Sequence, residues 1–495
     1  MNNSSFGISG MAAYVPPFRV NLEHWCGWTG GDWNKTKAVV GHSFRMRSPQ
    51  HSVYTLTANA VLRLIRQYDI DPQQVGYLAL GTESSIDNAI GAVIVRGLVD
   101  QGLEAEGLPR LARDCEVPEF KHACLGGVYG LKAALRYLAF DGSGRKAIVV
   151  SGDIAEYARG SSGEPTQGAG AVAMLLEEDP RLLKLDLQHS GSASDYRGLD
   201  FRKPFVRYST QNPGHNGHLQ DLPVFNGKYS TTCYIDESLA ALDAMFKRRG
   251  GSRSQYFRDL AAVFMHRPYH RMPQSAWAMG YLFALAHDVA QNDTAARAEL
   301  AEYCTAAGID VDEILTETQT HPSVARLQGG DLGFEAYPLS MLVLKVFRKS
   351  ANGRAIINDK MQLGTEMMMD LGNLYTAALP AWLAAGMEDA AEQGIELKGR
   401  ELLIMGYGSG DAAEAIPARA VDGWQQAARA IHFRETLAGS VDLSAEQYAA
   451  LHGGKTIEAA QHVLRTGFIV DHIGESNDAA FQDFGIEYYR YLGRV

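Results

Sequence analysis

Several apolar runs along the chain end in the same way. Val75 to Leu80, Lys146 to Val150 and Ala261 to Met265 give way directly to Gly81-Thr82-Glu83, Ser151-Gly152-Asp153 and His266, and a strand-like stretch at Glu119 hands over to Cys124 and two glycines. Short apolar runs bounded by turn residues are expected to be buried strands, and in open α/β sheets ligands sit beyond the C-terminal ends of such strands. Between them the spacing turns helical. Val53, Leu56, Ala60, Leu64 and Tyr68 share one face, as do Val128, Leu131, Leu135 and Leu138, and a further helix is expected over 88–102. With another apolar strand at Ala171 to Leu176, the first 180 residues alternate β and α, which predicts an α/β layer architecture.

The remainder is less regular. Phe6 to Ser9 reads as a strand before Pro16-Pro17, and Trp25, Trp28 and Trp33 crowd a segment expected to be packed loop and short helix. Residues 191–232 are the longest irregular region, closed by a helix from Ile235 to Arg249. Loops of that length in a compact domain tend to carry function. Residues 281–350 are helical, with a turn at Asn292-Asp293 and a break at Gly329-Gly330. A helix reaches about residue 392, Leu402 to Met405 forms a last core strand, and the tail ends in a strand at Thr466 to Val470 and the aromatic run Tyr488 to Tyr491.

Composition narrows the function classes. The 495 residues are 46% hydrophobic and 21% charged, with a net charge of −11, which argues against a general nucleic-acid binder. Five widely spaced cysteines without a CxxC pair fit a reducing compartment and exclude the usual zinc and dithiol patterns. Met1 to Arg19 lacks a basic start followed by an apolar core, and no apolar run reaches the ~18 residues of a membrane span. The expectation is a soluble, cytoplasmic protein without membrane contact.

Candidate chemistry lies at the strand ends. Cys124 falls at or just before a helix N-terminus, where unpaired N–H groups and the dipole favour thiolate and so nucleophilicity. Taken alone it is also readable as a small buried hydrophobe, Glu83 as a solvated turn residue and His266 as a structural histidine. Pro268 breaks the His266/His270 spacing that a helical metal pair requires, so His266 is read as an acid/base group, His270 as a bystander, and no metal site is expected. Gly406-Tyr407-Gly408-Ser409-Gly410 has GxGxG rather than GxGxxG spacing, which argues against a dinucleotide loop.

Nine segments in order resemble the 3-hydroxy-3-methylglutaryl-CoA synthase family of the thiolase superfamily. They are Gly-Thr-Glu-Ser at 81–84, His-Ala-Cys-Leu-Gly-Gly at 122–127, Gly-Asp-Ile-Ala-Glu-Tyr-Ala at 152–158 and the run from Pro165 to Leu175. Asp-Phe-Arg-Lys-Pro at 200–204, Asn-Gly-Lys-Tyr-Ser at 226–230, His-Arg-Pro-Tyr-His-Arg-Met at 266–272, Gly-Asn-Leu-Tyr-Thr at 372–376 and Tyr-Gly-Ser-Gly at 407–410 continue the match.

The resemblance implies a thiolase-like α/β fold, two related βαβ-type halves forming a five-layer αβαβα sandwich, normally a homodimer. The halves would be 1–180, with Cys124 and Glu83, and 181–495, with inserted loops, a C-terminal extension and His266, Asn373 and Ser409. It implies that Cys124 takes an acetyl group from acetyl-CoA, that Glu83 removes a proton from the acetyl methyl, and that His266 binds and polarises the ketone of acetoacetyl-CoA. Asn373 and Ser409 would support the pocket, Tyr157 and Thr166 would line it, and Arg271 and Lys203 would meet the phosphates of CoA. CoA thioesters would enter as substrates, with no cofactor.

Leu125 stands where the family more often has an aromatic residue, a departure expected to reshape the acyl pocket, and residues 205–220 and 285–350 look longer than a minimal member needs. Three alternatives stay open: the same condensation on a thioester of an acyl carrier protein, as in polyketide β-branching; a ketoacyl-synthase-III-like acyltransferase, which does not need Glu83; and a non-catalytic acyl-CoA-binding partner.

Overall fold

In the computed structural model the apolar runs become the strands of one large mixed sheet. The structure describes all residues except 1–4, 86, 202, 204–221, 225, 322, 325 and 327–334. Three sequence expectations, the loop at 205–220, most of the irregular region after Phe201 and the break at Gly329-Gly330, therefore lie outside the described residues.

The first half is built from β1 (Phe6–Tyr14), the small ribbon β2 (Phe18–Asn21) and β3 (Ser43–Met46), β4 (Val75–Gly81), β5 (Glu119–Phe120), β6 (Lys146–Ala155) and β7 (Gly168–Glu178). The second supplies β8 (Leu183–Leu185), β9 (Gly191–Ser194), β10 (Ala262–Met265), β11 (Glu401–Gly408) and β12 (Ala412–Ala420). Their spatial order is β10-β11-β12-β8-β1-β7-β6-β4-β5, with β9 also on β12. In the first half β4 lies parallel to β6, β6 antiparallel to β7 and β7 antiparallel to β1. The second half repeats this plan as β10, β11, β12 and β9. The three residues of β8 pair with both β1 and β12 and stitch the halves into one sheet.

Helices α1 (Leu22–Thr29) and α2 (Trp33–Val39) fill the tryptophan-rich segment and start on the caps Asn21 and Asp32. α3 (Val53–Gln67), opened by a Ser52/Thr55 capping box, covers β1, β6 and β7, and α4 (Gly91–Ala105) packs against it. α6 (Gly227–Arg249) covers β9 and β12 in the same manner, backed by α7 (Arg271–Ala290). Between the half-sheets run α5 (Gly126–Ala139) and α8 (Ala378–Glu392), the central layer of the thiolase-like sandwich. A buried ion pair, Lys132 Nζ to Glu414 Oε2 at 2.7 Å, ties α5 to β12 across the layer.

The tail returns to the first half. Val441–Asp442 pairs with β2, and the ribbon of Phe468–Ile473 with Glu487–Tyr491 lies on α3, where Asn59 Oδ1 accepts the N–H of Phe468 at 2.8 Å. Among the described residues no helix is long and apolar enough to cross a membrane.

Candidate active site

Register places the chemistry. β4 and β6 are parallel with Gly81 opposite Ser151, so Glu83 and Asp153 emerge side by side. β10 and β11 pair Met265 with Met405, so His266 emerges beside Gly406 and the Ser409 turn. Close approach of β4 to the start of α5 depends on glycine. A Cβ on Gly81 would come 2.5 Å from the Cα of Gly127, and one on Gly126 would come 2.5 Å from the carbonyl oxygen of Phe120. Any side chain at these positions would push the helix that carries Cys124 away from the strand that carries Glu83.

With that approach made, the Cys124 thiol donates to Glu83 Oε2 at 3.5 Å. Asp153 organises the pair from behind. Its Oδ1 accepts the N–H groups of Glu83 and Ser84, both at 2.9 Å, and the Thr82 hydroxyl at 2.8 Å, while Oδ2 accepts the N–H of Thr376 at 2.9 Å and its hydroxyl. Burial, then the charge of Asp153, pushes the Glu83 carboxyl up to about 8, partly offset by Lys203 and the thiol. Cys124 differs from the sequence expectation: burial and then the Glu83 carboxylate push its thiol well above the ordinary range. Desolvation outweighs the helix end, so the resting residue is a thiol beside a carboxyl group.

Cys124 opens onto a cavity of about 350 Å³ lined also by Tyr157, Thr166, Phe201, Lys228, His266, Asn373, Tyr375, Tyr407 and Ser409. Five site residues expected from the resemblance thus share one space with the cysteine, and Glu83 reaches it through the thiol. His266 is buried, and its Nδ1 has no partner among the described residues. Burial drives its pKa down to about 3, so the imidazole is neutral and acts as a hydrogen-bonding group. Tyr407 stacks on it with centroids 6.4 Å apart. Asn373 Oδ1 accepts the N–H of Tyr375 at 2.9 Å, while its own N–H donates to the Thr166 carbonyl at 2.9 Å.

Two expected contacts are not in this cavity. Arg271 is exposed at the start of α7, and its neighbours Pro268, Tyr269 and Met272 line the wall in its place. Lys203 lies in a second cavity of about 260 Å³ with Arg47, Ser84, Ser85 and Tyr375. Among the described residues the cation on the main cavity is Lys228, whose Nζ is 3.5 Å from Glu335. Leu125 is fully buried and faces the glycines of β11, where a Cβ on Gly406 would stand 2.5 Å from its Cδ1. It does not line the acyl cavity, so its departure from the family pattern is absorbed in the core.

Other residues escaped the sequence reading. Asp153 was visible only as a polar strand end. Tyr375 and Phe201, with ring centroids 5.6 Å apart, join Tyr157 in an aromatic wall around Cys124 that the chain assembles from three distant segments. Val39 and Val40 bring the tryptophan-rich segment to the same cavity. His270 faces Arg267 at 3.0 Å, in keeping with a bystander. Gly406 and Gly408 end β11 and Gly410 lies in the turn to β12, with no helix following, so they offer no phosphate loop. Among the described residues one group has metal-ligand proximity, Asp200, Cys233 and Asp411. The buried Arg197 guanidinium lies 3.1 Å from Asp411, and the Tyr407 hydroxyl donates to Asp200 and Asp411, so a cation already stands there.

Residues 2–180 match the family model described as hydroxymethylglutaryl-coenzyme A synthase N terminal. A hydroxymethylglutaryl-CoA synthase of Haloferax volcanii is 26% identical over 421 residues, 84% of each chain. One from Enterococcus faecalis is 31% identical over 274 residues, 55% of this chain and 63% of its own. The solved structure of MvaS in complex with 3-hydroxy-3-methylglutaryl coenzyme A aligns with a TM-score of 0.75 and 25% identity, covering 99% of both chains.

Proposed function

The chain belongs to the hydroxymethylglutaryl-CoA synthase family, and from that premise we propose that it joins an acetyl group carried on Cys124 to acetoacetyl-CoA, giving 3-hydroxy-3-methylglutaryl-CoA and free CoA. The observation that carries the reading is that the Cys124 thiol, 3.5 Å from Glu83, opens onto a cavity also lined by His266, whose Nδ1 has no partner among the described residues.

Cys124 sulfur attacks the thioester carbonyl of acetyl-CoA. The C–S bond to CoA breaks, and the thiol proton leaves with CoA as its thiol. Glu83 then takes a proton from the methyl of the acetyl-enzyme, and the resulting carbon forms a bond to the ketone carbon of acetoacetyl-CoA. A neutral imidazole at His266 can donate to that ketone oxygen as negative charge builds on it, without first having to lose a proton. The proton held by Glu83 returns to the alkoxide, and water cleaves the enzyme thioester to free the product and the thiol. Tyr157, Phe201 and Tyr375 form a dry wall that strengthens these interactions. Lys228 stands where an anionic part of a CoA thioester could be met. Side chains supply every step, so the proposed chemistry needs no cofactor.

The same proposal includes a homodimer and a reducing compartment. β5 closes the sheet with two residues whose outer edge pairs with no further strand among the described residues, a place for a second copy to pair, and all five cysteines are free. Light scattering tests the first point.

Incubation with labelled acetyl-CoA should leave an acid-stable acetyl group on the Cys124 peptide, and addition of acetoacetyl-CoA should release 3-hydroxy-3-methylglutaryl-CoA. Label retained by a Cys124→Ser variant would overturn the assignment. Turnover with acetoacetyl carrier protein but not acetoacetyl-CoA would move the reaction to a carrier-protein substrate.

A further inference from the structure

We propose that Asp411 is a positioning residue for His266, whose ring it orients through Tyr407. The proposal rests on the condensing function above, in which His266 meets the ketone of the second substrate. Two bonds fix the His266 backbone: its N–H donates to the Met405 carbonyl at 2.8 Å, and its carbonyl accepts the Tyr234 hydroxyl at 2.6 Å. The ring is held differently. Its Nδ1 has no partner among the described residues, so no hydrogen bond at that atom sets the plane of the imidazole, and packing has to set it. Tyr407 lies nearly parallel to it, with an interplanar angle of 22°, whereas Tyr234 is tilted at 42°.

Tyr407 is held at both ends. Its backbone belongs to β11, and its hydroxyl lies 2.9 Å from Asp200 Oδ2 and 3.0 Å from Asp411 Oδ1. Asp411 is the fixed post of this contact. It exchanges backbone bonds with Asp195, at 3.2 and 2.6 Å, beside the bond from the Arg197 N–H to the Gly410 carbonyl at 2.8 Å. Its Oδ2 lies 3.1 Å from Arg197 Nε, and the same guanidinium pairs with Asp236 on α6. A tyrosine ring anchored by its strand and by its hydroxyl cannot swing off the imidazole.

Stability alone does not account for this cluster. Arg197, Asp200 and Asp411 are buried together, and apolar residues of similar volume are often as stabilising as buried ionic groups or more so. What the polar groups add is direction. A hydroxyl has to meet its acceptors in one place, whereas an apolar ring end can settle in several. The place fixed here sets a flat ring against the histidine of the reaction cavity, which both residues line.

The two half-reactions separate this role from a general loss of structure. In the proposed chemistry acetylation of Cys124 does not call on His266 and condensation does, so both rates are measured in single turnovers for wild type, Asp411→Ala, Tyr407→Phe and the double variant. Asp411→Ala keeps the backbone bonds of the turn. It should acetylate Cys124 at the wild-type rate and condense about 10²-fold more slowly, the cost of a reacting group displaced by about 1 Å. Tyr407→Phe should lose condensation to a similar extent, and the double variant should lose no more than either, because both changes break one contact. Equal losses in the two half-reactions, losses that multiply in the double variant, or an unchanged condensation rate would overturn the proposal.

Nuclear magnetic resonance of histidine-labelled protein reads the same contact at rest, without substrate. The imidazole protons of His266, assigned by their loss in His266→Asn, feel the ring current of Tyr407, and their shifts should move in Asp411→Ala. Unmoved shifts refute the Asp411 role even in an enzyme that makes the product. Moved shifts in a protein that makes no 3-hydroxy-3-methylglutaryl-CoA refute the function and leave the positioning standing.

Discussion

The backbone N–H of Thr376 donates to Asp153 Oδ2 at 2.9 Å, joining the end of β6 in one half to the approach of α8 in the other, directly behind Cys124 and Glu83. Asp153 is satisfied on both oxygens by groups from two segments, Thr82 to Ser84 and Thr376. In Asp153→Asn an amide N–H₂ must face one set of these donors, and an unsatisfied buried donor costs about 1–3 kcal/mol. Chemical denaturation should show a loss of that size, and condensation should fall more than acetylation of Cys124, because Glu83 is the group that Asp153 holds by its backbone.

Glu83 carries a conflict between stability and activity. Its folded pKa lies near 8 against an ordinary 4.5, so between those values the folded state holds a proton that the unfolded state has released, and stability falls as pH rises through that window. Glu83→Gln should therefore melt higher than wild type at pH 8 and equally with it at pH 4. It should still be acetylated on Cys124, while condensation drops by about 10² to 10⁴, the usual value of a positioned base.

Buried groups of opposite kind set the pH of greatest stability. His51 and His266 are held near 3, so stability is lost as pH falls below their ordinary 6.5. Glu83 and Glu237 near 8 and Asp411 near 9 act in the other direction, removing stability as pH rises above the normal carboxylate range. Each titrating group contributes a slope of about 1.4 kcal/mol per pH unit. Urea unfolding at pH 4, 5.5 and 8 should find the maximum at 5.5.

The contact of Leu125 with β11 leaves no room for added volume. A Cβ on Gly406 would meet Leu125 Cδ1 at 2.5 Å and Val128 Cγ2 at 2.9 Å. Gly406→Ala should cost about 1–3 kcal/mol, and part of that loss should return in the Leu125→Ala/Gly406→Ala double variant. Leu125→Phe should be destabilised as well, with the ratio of acetyl to propionyl transfer unchanged, because this side chain is not in the cavity.

Much of this architecture is present in local pattern. Apolar runs such as Val75 to Leu80 and Ala261 to Met265 cannot be left in water, so each marks a buried strand, and the ionisable residue that follows it is delivered to the sheet's end. The observed strands run longer than the apolar runs, as in β6, which continues through Ser151 and Asp153, because cross-strand hydrogen bonding to β7 carries polar residues along with the ladder. Arg271 and Lys203 lie outside the main cavity for a related reason. A positive charge in sequence has no direction, and only the turn into α7 and the far side of Glu83 fix where each one points.

By itself, the sequence determined where the main strands and helices fall and put a cysteine, a carboxylate and a histidine at the ends of strand-like runs, since these follow from patterns a few residues long. Tertiary structure decided which groups touch and which are charged. The 3.5 Å contact of Cys124 with Glu83, the aromatic wall of Tyr157, Phe201 and Tyr375, and the return of the tail onto α3 join segments far apart in the chain. The protonated thiol and the neutral imidazole reverse or refine what helix position and residue type suggest, because burial acts on the charge of a group only after the chain has closed around it.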